Sequence, residues 1–317
     1  MQVGAGLFLL AMAGNLGLIV AQDLLGFYLG FTLMGLAAYG LIAHPATRRA
    51  RRAARRYLVW TIAGEMLLFV AVVMLAAQHG GVVSFSVLQS TPPGGFVMLL
   101  FLIGFDIKLA LPGLHLWLPQ AYAVTPAPAV AVLSGAMIKA GLLGWLRFLP
   151  PGDAALVNWG QALLVAGITG ICFGAIAGLL QRTPRLLLGC SSISKMGLMT
   201  ALLGLGLVNP ALAPGLVTGL VLFAAHHGLT KGAVFLGVGV AQTSKAHWVV
   251  PALAIPALVL AGAPFTNGAL AKQLLETPLL ELQSDWAAAM PLLTLATLGT
   301  TLLMARFLTL MVRQSKH

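Results

Sequence analysis

The stretch Arg48-Arg-Ala-Arg-Arg-Ala-Ala-Arg-Arg-Tyr-Leu-Val-Trp-Thr-Ile-Ala-Gly-Glu-Met-Leu-Leu-Phe-Val-Ala-Val-Val-Met-Leu-Ala-Ala77 decides the class of fold. Its second part, 57–77, is apolar apart from Glu65. It is long enough to cross a hydrocarbon core of about 30 Å, which takes roughly 20 residues of helix. Its first part sets six arginines, Arg48, Arg49, Arg51, Arg52, Arg55 and Arg56, against the start of that run. A basic block beside a spanning segment reads as a cytoplasmic loop under the positive-inside rule, touching anionic headgroups. Working outward, the whole chain agrees. Its 317 residues are 59% hydrophobic and 8% charged, with a mean hydropathy of +0.97. A soluble domain carries roughly 25% charged residues, so a water-facing globule is excluded. Disorder fails on the same numbers. Two cysteines, Cys172 and Cys190, cannot staple a disulfide scaffold. The long continuous apolar runs lack the alternation of an outer-membrane barrel. The expected fold class is all-α, a polytopic helical membrane protein. The net charge of +11 rests largely on the arginine block, so no nucleic-acid partner is expected and anionic lipid at Arg48–Arg56 is.

About ten spanning segments follow from the apolar runs: 5–20, 24–43, 57–77, 95–111, 128–149, 159–180, 186–207, 214–240, 249–275 and 286–311. Two are interrupted. The fourth meets Pro112 and continues only as a short piece over 112–123, and the ninth breaks at Gly262-Ala-Pro-Phe-Thr-Asn-Gly268. With the arginine block inside, alternation also puts Arg182, Arg185, Lys245, Arg313 and Lys316 inside. The loops at 78–94, 150–158, 208–213 and 278–285 fall outside and contain no Lys or Arg, while Glu281 and Asp285 lie there. Both termini are therefore expected in the cytoplasm. No basic segment precedes the first helix, which reads as a mature helix and not a cleaved signal.

Ionisable groups at bilayer depth are costly, rare and usually functional. This chain places Glu65, Asp106, Lys108, Lys139, Lys195, His226, His227, Lys231 and Lys272 within its apolar segments. At 1.5 Å per residue, Glu65 lies roughly 12 Å from the inner face and Lys108 roughly 20 Å from the outer one. In a core of about 30 Å the two share a level, which predicts an ion pair. Lys139 falls at roughly 17 Å and Lys195 at about 14 Å from the inner face, too deep for all to snorkel. Burial disfavours the charged form of lysine, so an excess of buried lysines over carboxylates implies groups that gain and lose protons. The residues alone therefore predict a lateral proton path. Paired broken helices, each near a lysine, are the mark of a repeat-built transporter.

The stretch Gly104-Phe-Asp-Ile-Lys-Leu-Ala-Leu-Pro-Gly-Leu-His-Leu-Trp-Leu-Pro-Gln-Ala121 resembles the antiporter-like subunits of respiratory complex I. That family includes Mrp cation/proton antiporter subunits and group 4 hydrogenase membrane subunits. Thr125-Pro-Ala-Pro, Ser134-Gly-Ala-Met-Ile-Lys-Ala-Gly141, Arg147, Ser191-Ser-Ile-Ser-Lys-Met-Gly197 and His227-Gly-Leu-Thr-Lys-Gly232 extend the likeness over nearly the whole chain. The second-lysine segment is worded most like the hydrogenase-type members. The resemblance implies a single transmembrane domain over 1–317, an inverted-repeat antiporter-like bundle with approximate half-channels 1–149 and 150–317. It implies a proton or cation/proton translocating subunit whose relay is Glu65, Lys108, His115, Lys139, Lys195, His227, Lys231 and Lys272. Other membrane subunits and a peripheral module are the implied partners, in a bacterial-type inner membrane. Two departures stand out. Thr32 occupies the place of the family's usual glutamate, with Glu65 as substitute partner for Lys108. The chain also begins at what resembles the family's fourth helix.

No catalytic site of its own is expected; redox chemistry would belong to partners in a quinone-reductase or hydrogenase-type oxidoreductase. No cofactor is expected either. Two separated cysteines cannot hold an iron–sulfur cluster, and Gly237-Val-Gly239 lies inside a helix, not in a dinucleotide loop. His115, His226 and His227 are weak metal candidates, since adjacent histidines on a helix point about 100° apart. Two other functions stay open: the membrane half of a bicarbonate-accumulating complex, and a structural subunit that no longer conducts.

Overall fold

A computed structural model describes residues 2–149, 154–244, 248–281 and 290–315. Lys245, Asp285 and Lys316, used in the orientation argument, lie outside them. The described chain is helical: α1 Gln2–Val20, α2 Leu24–Ala43, α3 Arg48–His79, α4 Phe85–Ser90, α5 Gly95–Leu109, α6 Leu118–Val124, α7 Ala127–Gly135, α8 Ala140–Phe148, α9 Val157–Leu179, α10 Pro184–Val208, α11 Ala213–Thr243, α12 Val249–Ala252, α13 Ala254–Ala261, α14 Asn267–Glu281 and α15 Met290–Ser315. Among the described residues, seven segments are long and apolar enough to cross a membrane by length and composition, and shorter apolar helices accompany them. The ten expected segments appear in order, the fourth as α5 and α6, the ninth as α12 to α14.

Two expectations need correction. The six arginines are not on a loop. They form the first turns of α3, where Thr47 caps the helix by accepting from the Ala50 amide at 3.0 Å. Arginine and alanine are strong helix formers, and the cap satisfies a free amide of the first turn. All six arginines are exposed, while Ala50, Ala53, Ala54 and Tyr57 turn inward, the 3.6-residue period of an amphipathic helix. The fifth segment is also not one helix. It divides into α7 and α8 around a 3₁₀ turn, Met137–Lys139, whose last residue is Lys139. Such a turn within a helix frees backbone carbonyls, and the Lys139 ammonium donates to one of them, Ser134 O.

The helix α10 is the spine of the bundle, buried along nearly its whole length. It packs against α9 through glycines. A Cβ on Gly167 would meet the backbone of Ala201, and Gly197 faces Gly170 in return. Small residues let transmembrane helices approach closely where no hydrophobic driving force separates lipid from protein.

Both broken helices end in the left-handed conformation. Ala110 (φ 56°) closes α5 and Gly262 (φ 77°) closes α13. The α5 end is then tied down by Trp117, whose indole donates to Ile107 O at 2.9 Å. The α13–α14 crossing depends on Gly268, where a Cβ would collide with the Val259 carbonyl oxygen.

Arg147 of α8 closes the C-terminal end of α1. Its guanidinium donates to Ala21 O at 2.5 Å, to Leu18 O at 3.4 Å and to Ile19 O, and lies over the Phe85 ring. These carbonyls have no partner within α1, and a cation there meets the negative end of the helix dipole. Replacing Arg147 with Met should destabilise the fold by about 2 kcal/mol, allowing for its partial exposure. Hydrogen exchange should rise first at residues 18–21; unchanged exchange there would remove the cap from this account.

Candidate functional site

The buried charges gather in two groups. The first lies between α2, α3 and α5. Glu65 is 3% exposed and Lys108 5%. Both look into the space left by Gly35: a Cβ there would sit 3.4 Å from Lys108 Nζ and closer still to Glu65 Oε1. Carboxylate and ammonium are therefore less than about 6 Å apart. They do not touch. Among the described residues, neither Glu65 Oε1 nor Lys108 Nζ has a hydrogen-bond partner. The expected pair takes the form of two opposed charges facing each other across a small cavity lined by Phe31, Thr61, Gly64, Ile107 and Trp117. Its size suits about one water molecule.

Lys108 also lies over aromatic faces, with Nζ 4.7 Å from the Phe31 ring centre and 5.9 Å from that of Tyr57. A ring face attracts a cation within about 6 Å. Phe31 is the neighbour of Thr32, so α2 presents an aromatic face to Lys108. The sequence reading missed this contact. Lys108 further sits in the last turn of α5, where the helix dipole favours a cation.

The second group centres on α11. Phe223, His227 and Lys231 recur every four residues and share one face. His227 and Lys231 are fully buried. Lys231 donates to Leu188 O of α10 at 2.8 Å, whereas neither ring nitrogen of His227 has a partner among the described residues. Lys139 reaches this face from the α7–α8 break, with Nζ 3.7 Å from where a Cβ on Gly228 would sit. Lys195 of α10 is 6% exposed and lies over Phe223 at 5.4 Å. Lys139, Lys195, Lys231 and His226 are all electrostatic neighbours of His227, and Lys272 is one of Lys195. Four lysines and two histidines thus form one cationic group running from α7–α8 through α11 and α10 to α14.

Lys272 is the group's more open end. It pairs with Glu276 at 3.2 Å, both partly exposed. Glu276 was overlooked in the sequence, although its i, i+4 spacing is the usual one for a helical ion pair. His115 stands in the connector after the α5 break, its ring against Phe173 of α9 at 4.5 Å and its Nδ1 unpartnered. Asp106 belongs to neither group. It turns to α8, where the Trp145 indole donates to it at 3.3 Å.

A family profile described as NADH:quinone oxidoreductase/Mrp antiporter, TM, matches residues 21–303. NAD(P)H-quinone oxidoreductase chain 4 2 of Microcystis aeruginosa is 32% identical over 244 residues, 74% of this chain and 42% of the relative. Hydrogenase-4 component B of Escherichia coli is 27% identical over 283 residues, 81% of this chain and 42% of the relative. Among solved structures, a chain of the Mrp complex from Dietzia sp. DQ12-45-1b superposes with a TM-score of 0.83 at 26% identity, covering 96% of this chain and 35% of that one. The chain thus spans about two-fifths of the length of these curated relatives.

Proposed function

We propose that this chain, which belongs to the NADH:quinone oxidoreductase/Mrp antiporter family of transmembrane proteins, moves protons as a membrane subunit of a larger complex. The observation that carries the reading is the cationic group around His227. Among the described residues, Lys139, Lys195, Lys231 and His227 have no carboxylate within ion-pair distance. Uncompensated charges at depth are costly, so such a group is held with fewer protons than sites. A proton arriving at one member then favours release from the next. Glu65 and Lys108 form the first charge pair, in the half-channel 1–149. Lys139 works with the second half, 150–317, where His227, Lys231 and Lys195 carry protons and Lys272, tempered by Glu276, is the exit. His115 serves water at the α5 break, since backbone freed at depth needs polar company.

The partners proposed are further membrane subunits and a peripheral module of quinone-reductase or hydrogenase type, in a bacterial-type cell membrane with both termini cytoplasmic. The arginine face of α3 contacts anionic lipid. Arg49, Arg52 and Arg56 line an open cavity with Gln120 and Leu186, and each basic residue near an anionic surface contributes about 1 kcal/mol. Replacing the six arginines with glutamine should lower insertion or assembly yet leave translocation by the assembled fraction intact, because arginine stays charged and relays no proton. Loss of translocation per assembled complex would place the arginines in the path.

The function is tested by Lys139→Met in the assembled complex, with proton movement followed in sealed vesicles by a trapped pH indicator. Translocation should vanish at normal assembly. An unchanged rate would leave Lys139 a structural residue.

A further inference from the structure

We infer that the hydroxyls of Tyr57, Tyr122 and Ser192 form the proton link between the Glu65–Lys108 pair and Lys231. The inference rests on the translocation reading above and says where its two charge groups join. Among the described residues, the electrostatic neighbour of Lys108 is Glu65, whereas those of Lys231 are Lys139, Lys195 and Cys190; the two groups share none of them, so a connection between them is sought among uncharged residues.

Tyr57 stands at the first group. Its hydroxyl donates to Gly35 O at 3.1 Å, and Gly35 is the residue whose missing side chain opens the space shared by Glu65 and Lys108. Glu65 and Thr61 both interact with this hydroxyl. The Tyr57 ring meets Trp117 edge-on at 5.2 Å, and Trp117 lines the Glu65–Lys108 cavity. Trp117 leads directly into α6, which lies between α3 and α10 and carries Tyr122.

Tyr122 is fully buried, and among the described residues its hydroxyl has no hydrogen-bond partner of good geometry. Buried tyrosine hydroxyls are normally satisfied, so this one needs an explanation. Tyr57 and Ser192 are both polar neighbours of this hydroxyl, and among the described residues neither makes a well-formed hydrogen bond with it. The ring is fixed edge-on against Phe235 at 5.3 Å. Beyond it, Ser192 Oγ donates to Leu188 O at 3.2 Å. Lys231 Nζ donates to that same oxygen at 2.8 Å. Serine and lysine therefore stand within a water's span of one another.

The transfer balances as a file of hops, with water filling gaps too long for direct hydrogen bonds. The Lys108 ammonium gives up a proton, which enters at Tyr57 as the tyrosine's own proton moves on. Tyr122 and Ser192 pass theirs in the same way, and the last is taken by the neutral Lys231 amine. Lys108 ends as an amine and Lys231 as an ammonium, with each hydroxyl holding its neighbour's proton.

The test compares Tyr122→Phe, Tyr122→His, Ser192→Ala and Lys231→Met in the assembled complex, by proton movement in sealed vesicles. Phenylalanine keeps the ring contact with Phe235 and removes only the hydroxyl. Tyr122→Phe and Ser192→Ala should each lower translocation by about tenfold or more, at normal assembly. Tyr122→His should recover most of the rate, because imidazole also passes protons. Wild-type rates in Tyr122→Phe or Ser192→Ala, or no recovery with histidine at normal assembly, would overturn the link. If Lys231→Met is then still inactive, the translocation reading survives; if it too moves protons normally, both fall. Should Tyr122→Phe fail to assemble, Ser192→Ala decides alone.

Discussion

Glu65→Gln is expected to stop proton movement through the assembled complex while leaving its shape intact. Glutamine keeps the volume at a position 3% exposed and removes only the charge facing Lys108. What remains around that ammonium is the Phe31 and Tyr57 ring faces, together worth about 1–2 kcal/mol. Removing one partner of a buried pair costs about 3–5 kcal/mol while the other stays charged, so the neutral amine takes over. At 1.36 kcal/mol per factor of ten, the rate should fall by about a hundredfold or more. Glu65→Asp, which restores the charge one methylene short, should be intermediate. The check is the initial rate of proton uptake at matched amounts of complex. Normal uptake by Glu65→Gln would mean that Lys108 works without this carboxylate.

His227→Phe should be more stable than the parent and inactive. The imidazole is 1% exposed, neither nitrogen has a partner among the described residues, and Lys139, Lys195, Lys231 and His226 are its electrostatic neighbours. Leaving a buried polar group unsatisfied costs about 1–3 kcal/mol. A ring of similar shape without nitrogens escapes that cost, so stability should rise by about 1 kcal/mol or more. The relay would lose the group that stands among Lys139, Lys195 and Lys231, and translocation should drop about a hundredfold, as expected where a charge must cross without a carrier. Thermal unfolding in detergent and vesicle flux measure the two effects on one preparation. A less stable variant would mean that His227 is satisfied in the native state. A stable, active one would remove it from the path.

The spans were legible because a run of about 20 apolar residues has one reading in a chain so poor in charge. The level shared by Glu65 and Lys108 was legible too, from helix rise alone, although they lie 43 positions apart; the water-sized gap between them was not. The arginine block was misread as a loop. Charge density suggested solvent, but Thr47 and the alanines already carried a helix signal. The break at Lys139 has no local mark, since Gly135-Ala-Met-Ile-Lys contains no proline. It reflects packing, with Gly135 and Gly228 in close approach where α7 crosses α11. Tyr57 and Tyr122 were invisible as functional residues. Each reads as an ordinary core aromatic, and only the fold brings Tyr57, Tyr122 and Ser192 together from three separate helices. His227 could be suspected from its segment, but its lack of partners is a tertiary fact.

The most direct measurement of proton translocation along the lysine axis is proton flux per turnover of the driving reaction, in sealed vesicles holding the assembled complex with wild-type chain or Lys231→Met. Lys231 is fully buried and central to the cationic group, and methionine matches its length without accepting a proton. The account predicts flux in the wild type that follows the proton gradient, and none above leak in Lys231→Met at equal assembly. Equal flux per turnover in the two would contradict it.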